Sequence, residues 1–323
     1  MVPGLWDAAL TAVGLAVVLL GAWLLVRSAA SLAVQFGLSP VIVGATVVAF
    51  GTSAPEFVVS LVAASDGSGG LAVGNVLGSN VTNVALVLGL SGIVRPMVVH
   101  PRLLRWEMPV LAAATAAILL VGSGGTIGHG AGAALFAGLL VFVALSLRLR
   151  PTEAAAADGG GLPAAGEVMG AGEVAREVSL AVAGIAALAV GSEVAVHGAV
   201  GIAERVGVSE VAIGVTVVAI GTSLPEIVTS AVAALRGEHE IAVANVVGSN
   251  VFNLLGVLGL TGALITLPTG AELYRFEMPA LAASTVVLFV LAWPRGRVGR
   301  PEGALLVVFY AAFVAIVLAR GGA

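Results

Sequence analysis

One segment of this chain occurs twice. Residues 39–94 and 209–264 align at a constant offset of 170, and 32 of the 56 aligned positions are identical. The first copy carries GTSAPE at 51–56 and NVLGSNVTN at 75–83, and the second carries GTSLPE at 221–226 and NVVGSNVFN at 245–253. Each polar string lies inside a long apolar run, where carboxylates, hydroxyls and amides are costly and mark functional positions. The duplication therefore predicts two equivalent halves that contribute matching polar groups to one centre.

The composition places this centre in a membrane. Hydrophobic residues make up 59% of the 323 residues and charged residues 10%, whereas soluble domains have about 25% charged residues. We therefore expect an all-α integral membrane protein embedded in a lipid bilayer. Ten apolar windows approach the roughly 20 residues that a helix needs to cross the hydrocarbon. They cover residues 8–30, 40–64, 71–94, 107–122, 128–147, 177–203, 210–234, 241–265, 278–293 and 303–319.

The repeat extends beyond the polar strings. RWEMP at 105–109 matches RFEMP at 275–279 at the same offset, so the repeated unit is about half of the chain, or five helices. Because five is odd, the second copy enters the membrane from the opposite side, which is the inverted-repeat architecture of many secondary transporters. We expect a first five-helix repeat at 1–147, a flexible cytoplasmic linker rich in Gly, Ala and Pro at 148–176, and a second, inverted repeat at 177–323.

The basic residues indicate the orientation and limit the chemistry. All 14 are arginine. Ten lie in loops on one side of this topology and three on the other, Arg27 near the end of helix one is assigned to neither side, and short cytoplasmic loops carry the excess. We expect a location in the cell membrane with both termini extracytoplasmic. Without lysine there is no GK[ST] phosphate loop, and without cysteine there is no thiolate chemistry. No nucleophile and base pair is evident, so we expect a transporter rather than an enzyme, with no cofactor, no nucleic acid and no obligate protein partner.

Both GTSxPE strings fall near the middle of a predicted membrane helix. Thr52 and Glu56 are four residues apart and Ser53 and Glu56 three apart, so one helix face presents two hydroxyls and a carboxylate. The second copy repeats this face with Thr222, Ser223 and Glu226. The two halves thus each offer one intramembrane acid with hydroxyls beside it.

Further oxygen atoms come from the prolines and from the next helix of each half. Pro55 and Pro225 lack an N–H, so the carbonyls of Gly51 and Gly221 lose their helical partners and need a donor or a cation deep in the membrane. A polar stripe at every fourth residue follows: Asn75, Ser79, Asn83, and then Asn245, Ser249, Asn253. This all-oxygen set is typical of sites for Ca²⁺ and Na⁺ and argues against zinc or copper.

The two strings resemble the alpha-repeats of the cation/Ca²⁺ exchanger superfamily, and most closely those of the prokaryotic Na⁺/Ca²⁺ exchangers, which carry GTS-x-PE and GSN-xx-N or GSN-xx-D. The resemblance covers both repeats and the ten-helix plan. It implies metal ligands from Thr52, Ser53, Glu56, Ser79, Asn83, Thr222, Ser223, Glu226, Ser249 and Asn253, and from carbonyls near Ala49 and Ala219. Some microbial relatives have aspartate where this chain has Asn253, which leaves two formal negative charges at the centre and the ion stoichiometry open.

The expected function is Na⁺/Ca²⁺ antiport by alternating access, since one Ca²⁺ or two Na⁺ would neutralise Glu56 and Glu226. The resemblance implies that helices one and six move; they contain Gly14, Gly21, Gly184, Gly191 and Gly201. The same oxygens also allow an H⁺/Ca²⁺ or other cation antiporter, or a cation channel. Glu193 in helix six is a third acid within an apolar run. It is only a secondary candidate for a role in transport, because the equivalent position of the first repeat holds Trp23 rather than an acid.

Overall fold

The computed structural model describes residues 3–148, 169–207 and 219–321, and its regular structure is almost entirely helical. The first half comprises α1 (Pro3–Gln35), α2 (Pro40–Thr52), α3 (Ala54–Ser65), α4 (Gly69–Val94), α5 (Leu103–Gly122) and α6 (His129–Arg148). The second half comprises α7 (Ala171–Arg205), α8 (Ala219–Thr222), α9 (Leu224–Arg236), α10 (His239–Leu264), α11 (Ala271–Arg275), α12 (Glu277–Ala292) and α13 (Arg300–Gly321). Four short strands lie in loops: β1 (Met97–Val98), β2 (Thr126–Ile127), β3 (Leu267–Pro268) and β4 (Arg297–Val298).

The helical membrane architecture is confirmed. Within the described ranges, eight helices are long and apolar enough to cross a membrane, and the bent pair α2 and α3 raises this to nine. The expected seventh span, 210–234, begins in residues that lie outside the described part of the chain, and its described part is α8 and α9. The ten-span count therefore stays a prediction. Most of the expected 148–176 linker also lies outside the described residues, although residues 171–176 belong to α7.

The helix that carries each GTSxPE string is broken at its serine. Ser53 has φ −82° and ψ 3° between α2 and α3, and Ser223 has φ −87° and ψ 6° between α8 and α9. Pro55 and Pro225 then lie in the first turn of the following helix, where their missing N–H leaves no bond unmade. The axes of α2 and α3 differ by 43°. The break places Glu56 and Glu226 in the first turn of α3 and α9, respectively.

Several helices contain a π-helical turn, which inserts an extra residue and occurs often at functional sites. In α2 the turn covers Gly44–Val48, in α4 it covers Asn83–Val87, and in α10 it covers Phe252–Val257. A fourth begins α5 at Leu103–Glu107. Of the four π-helical turns in the described part of the chain, three therefore lie in helices that carry a repeated polar string.

The two halves are interlocked. Strand β1 pairs antiparallel with β4, and β2 pairs antiparallel with β3, so every strand finds its partner in the other half. The hydroxyls of Thr115 and Thr285 lie 3.2 Å apart, and Asn250 donates to the Asn80 carbonyl at 3.1 Å. Both contacts join residues 170 positions apart. Contacts between equivalent positions are what a two-fold relation between two like units produces.

Helices α1 and α7 pack along each other through glycines. A Cβ added to Gly14 would lie 2.7 Å from the carbonyl oxygen of Gly191, and one added to Gly21 would lie 2.8 Å from that of Gly184. Small residues at such positions let helix backbones approach closely in a membrane. At one end of this interface the Asp7 carboxylate pairs with the Arg205 guanidinium. The two helices therefore form one tightly packed unit.

Candidate functional site

The broken helices bring two carboxylates together inside the protein. Glu56 and Glu226 are both fully buried, and Glu226 lies close enough to Glu56 for the two carboxylates to interact electrostatically. None of the ion pairs found among the described residues includes either of them. Two buried carboxylates without a counter-charge are strongly disfavoured, so this arrangement calls for a cation or for protons.

Hydroxyls from both halves surround the pair. Ser53 Oγ donates to Glu226 Oε1 at 3.2 Å. In the equivalent place, Ser223 and Ser79 face the Glu56 carboxylate, although neither Glu56 oxygen has a partner within hydrogen-bonding geometry in the described structure. The hydroxyls that face Glu226 come from Thr52, Ser53 and Ser249. Each carboxylate is thus approached by the GTS serine of the other half and by the GSN serine of its own half.

A hydrogen-bonded chain fixes Thr52. Its hydroxyl lies 3.1 Å from Asn245 Oδ1, 3.2 Å from Ser249 Oγ and 3.3 Å from the Ala49 carbonyl. Asn245 in turn donates to Ser230 Oγ at 3.0 Å. The first half repeats the last bond, from Asn75 to Ser60 at 3.0 Å. The chain orients Thr52 between its own helix and α10.

Sequence reasoning left Asn245 and Ser230 out of the ligand set. Both are identical in the two copies at the offset of 170, where Asn75 and Ser60 stand. That identity is the signal that could have identified them. What the sequence does not contain is the helix packing that brings Asn245 to Thr52.

Asn83 and Asn253 are fully buried, and none of their side-chain polar atoms has a hydrogen-bond partner in the described structure. Each lies in a π-helical turn. The turn with Asn83 packs against α9, which carries Glu226, and the turn with Asn253 packs against α3, which carries Glu56. The asparagine turn of each half therefore lies next to the glutamate helix of the other half. Leaving a buried polar atom unpaired costs about 1–3 kcal/mol, which a bound cation would offset at each Oδ1 but not at the Nδ2 donors.

The remaining expected positions differ in their surroundings. The Ala49 carbonyl accepts from the Ser53 N–H at 3.0 Å and from the Thr52 hydroxyl, so it would have to exchange a bond to coordinate an ion. Ala219 begins α8, and Thr222 at the end of α8 is half-buried whereas Thr52 is fully buried. Glu193 is exposed on α7. The structure therefore brings the serines and glutamates together and leaves Glu193 apart from them.

The fold and this centre define a helical integral membrane protein built from two repeated halves around buried carboxylates and hydroxyls. The family model described as sodium/calcium exchanger protein matches residues 6–148 and 177–319. The chain belongs to this family, which consists of exchangers and antiporters rather than enzymes. The family and the membrane helices expected from the sequence are confirmed.

Individual relatives align over almost the whole length. The putative antiporter CaxA of Alkalimonas amylolytica is 34% identical over 310 residues, covering 92% of this chain and 94% of that protein. The sodium/calcium exchanger MaX1 of Methanosarcina acetivorans is 27% identical, covering 94% and 96%. Among solved structures, the sodium-calcium exchanger NCX_Mj superposes with a TM-score of 0.82 at 27% identity, covering 97% of this chain and 99% of that one.

Proposed function

We propose that this chain is a Na⁺/Ca²⁺ antiporter that carries Ca²⁺ and Na⁺ in turn at the centre between Glu56 and Glu226. The observation that carries the proposal is the meeting of two fully buried carboxylates from opposite halves, with Ser53 Oγ 3.2 Å from Glu226 Oε1. MaX1 and NCX_Mj, both described as sodium/calcium exchangers, support the same pair of ions.

The proposed ligands are oxygen atoms throughout. Ca²⁺ takes about six to eight oxygen ligands, including carboxylates, amide and backbone carbonyls. The set comprises the side chains of Glu56, Glu226, Thr52, Ser53, Thr222, Ser223, Ser79, Asn83, Ser249 and Asn253 and the carbonyls of Ala49 and Ala219. The unpartnered amide oxygens of Asn83 and Asn253 and the unpartnered carboxylate oxygens of Glu56 support this assignment.

The charge of the two carboxylates couples the movement of Na⁺ to that of Ca²⁺. An empty centre holds two uncompensated carboxylates, and one Ca²⁺ or two Na⁺ would neutralise them. A change of access would move the apolar surface of the rocking helices across these two carboxylates, which is far more costly when the carboxylates are bare than when a cation neutralises them. The empty protein therefore stays in one access state, and transport proceeds only as exchange.

The proposed topology has ten spans in two inverted repeats, with a cytoplasmic linker, both termini outside the cell and the protein in the cell membrane. The strand pairs between halves and the contacts between residues 170 apart support a two-fold relation. In such folds the two access states arise from one element rocking against another around a fixed site. The glycine-packed pair α1 and α7 is the proposed moving unit.

Flux measurements on reconstituted protein test the function. Proteoliposomes loaded with Na⁺ should accumulate ⁴⁵Ca²⁺ when diluted into Na⁺-free buffer, whereas K⁺-loaded vesicles and vesicles with only a pH gradient should not. Glu56→Gln and Glu226→Gln should each abolish this uptake, because each removes one of the two charges that balance Ca²⁺. Glu204→Gln serves as the matched control, since Glu204 is exposed near the end of α7.

The alternatives give different results in the same vesicles. Uptake driven by the pH gradient and indifferent to Na⁺ would replace Na⁺ by H⁺ as the coupling ion. Uptake that needs no counter-ion and does not saturate would indicate a channel. Full Na⁺-driven exchange in both glutamine variants would remove the carboxylates from the mechanism.

A further inference from the structure

A large apolar cavity lies beside the carboxylate centre. It has a volume of about 810 Å³ and is enclosed by α2 and the start of α3 on one side, by α6 on another and by the π-helical turn of α10 on the third. Phe50 and Phe252, whose ring centroids are 6.0 Å apart, form part of its wall. Ser53, which bonds Glu226, also lines it.

The wall offers no polar side chain to a ligand. Of the lining side chains only Thr46 and Ser53 are polar. The Thr46 hydroxyl donates to the Ile42 carbonyl at 2.6 Å, and the Ser53 hydroxyl donates to Glu226. A polar or charged ligand would therefore lose its hydration without gaining side-chain partners. The cavity fits a hydrocarbon.

The cavity opens towards the surface that faces the bilayer. Val47, Phe50 and Leu140 line it and are 45%, 62% and 56% exposed, and they lie in membrane-spanning helices. Along the unbroken helix α6 the wall runs from Phe136 to Leu147, which at about 1.5 Å per residue is roughly 17 Å. The space is thus long enough for much of an extended fatty-acyl chain and is continuous with the medium that contains such chains.

We propose that this cavity binds an acyl chain of a bilayer phospholipid. An apolar cavity does not hold water well and binds apolar ligands instead, and an empty one deprives its lining atoms of dispersion contacts. The bound chain packs behind the break between α2 and α3, on the side of Ser53 opposite Glu226. The binding itself does not depend on which ions the protein carries.

Photo-crosslinking tests the proposal. The full chain is placed in lipid nanodiscs that contain a phospholipid with a diazirine in the middle of one acyl chain, and adducts are mapped by mass spectrometry after irradiation. Residues 136–147 and 252–260 should carry several-fold more adducts than residues 178–190 of α7, whose exposed valines contact bulk lipid. Ala144→Phe, which adds a ring at the exposed mouth, should reduce cavity adducts several-fold.

Ala186→Phe adds the same ring to an exposed position of α7 and should leave the cavity adducts unchanged. Val47→Phe is a second filling variant, which keeps the test decisive if Ala144→Phe does not fold. Equal labelling of the cavity segments and of α7, or cavity labelling that neither filling variant lowers, would overturn the proposal.

Discussion

The close packing of α1 on α7 makes Gly14 sensitive to a single added methyl group. In Gly14→Ala the new Cβ would lie 2.7 Å from the Cα of Ala195 and 2.7 Å from the carbonyl oxygen of Gly191. Ordinary contacts of a Cβ begin near 3.4 Å, so these two atoms must move away by about 0.7 Å, and the backbone nitrogen of Ala195, which would lie closer still, must move by more. Because both neighbours are backbone atoms, no side-chain rotation relieves the clash.

The expected loss of stability follows from two opposing effects. Overpacking a well-packed interface costs about 1–3 kcal/mol, and the gap that the separation opens elsewhere between the two helices forfeits part of their dispersion energy. Replacing glycine by alanine in a helix gains up to about 1 kcal/mol. The net loss is about 1–2 kcal/mol, which corresponds to a melting temperature lower by roughly 2–6 °C.

Gly4→Ala is the matched control in the same helix, since a Cβ there would meet nothing within 4 Å. The melting temperature is measured in one detergent at one scan rate by the fluorescence of the four tryptophans. Gly4→Ala should be as stable as the parent or slightly more stable. If Gly14→Ala matches Gly4→Ala, the close approach of α1 and α7 is refuted.

Three further substitutions test contacts at and around the centre. Thr52→Val removes the hydroxyl next to Asn245 Oδ1 and should cost about 1–3 kcal/mol of stability and raise the Ca²⁺ concentration for half-maximal uptake; unchanged melting and uptake would contradict the hydrogen-bonded chain. Arg95→Gln removes a donor to the last carbonyls of α9 and should lower the free energy of unfolding by about 0.3–1 kcal/mol. This loss should be smaller at high salt. Asp7→Asn should lower the free energy of unfolding by no more than about 1 kcal/mol, because the Arg205 side chain is half exposed to solvent. In a double-mutant cycle with Arg205→Gln the two losses should be non-additive, and strict additivity would argue against the ion pair.

The sequence located the centre because its polar groups interrupt apolar runs. Carboxylates in the middle of hydrophobic segments are rare enough to be recognised without a structure, and the constant offset of 170 identified Glu56 and Glu226 as equivalent. The prolines also indicated where the helices would loosen. The structure adds that Ser53 and Ser223 are the residues outside helical geometry.

Other features left no readable pattern in the sequence. A π-helical turn such as Asn83–Val87 changes the hydrogen bonding by one residue without requiring a particular side chain. Helix ends follow hydrogen bonding, whereas a predicted span is limited to about the 20 residues that cross the hydrocarbon, so the first helix extends over Pro3–Gln35 rather than 8–30. The contact of Asn245 with Thr52 depends on how two distant helices meet, which single-sequence periodicity does not encode.

The strand pairs between halves have a consequence for the origin of such a chain. A half-length polypeptide would leave β1 and β2 without partners and would expose a buried glutamate to the bilayer. It could complete its structure only by forming a dimer with a second copy of itself, in which each copy supplies the partner strands that the other lacks. Fusion of two genes would then make this dimer permanent and hold the two copies at equal numbers. It would also let each copy change independently, as at the equivalent positions 23 and 193, where the first half has Trp23 and the second has Glu193.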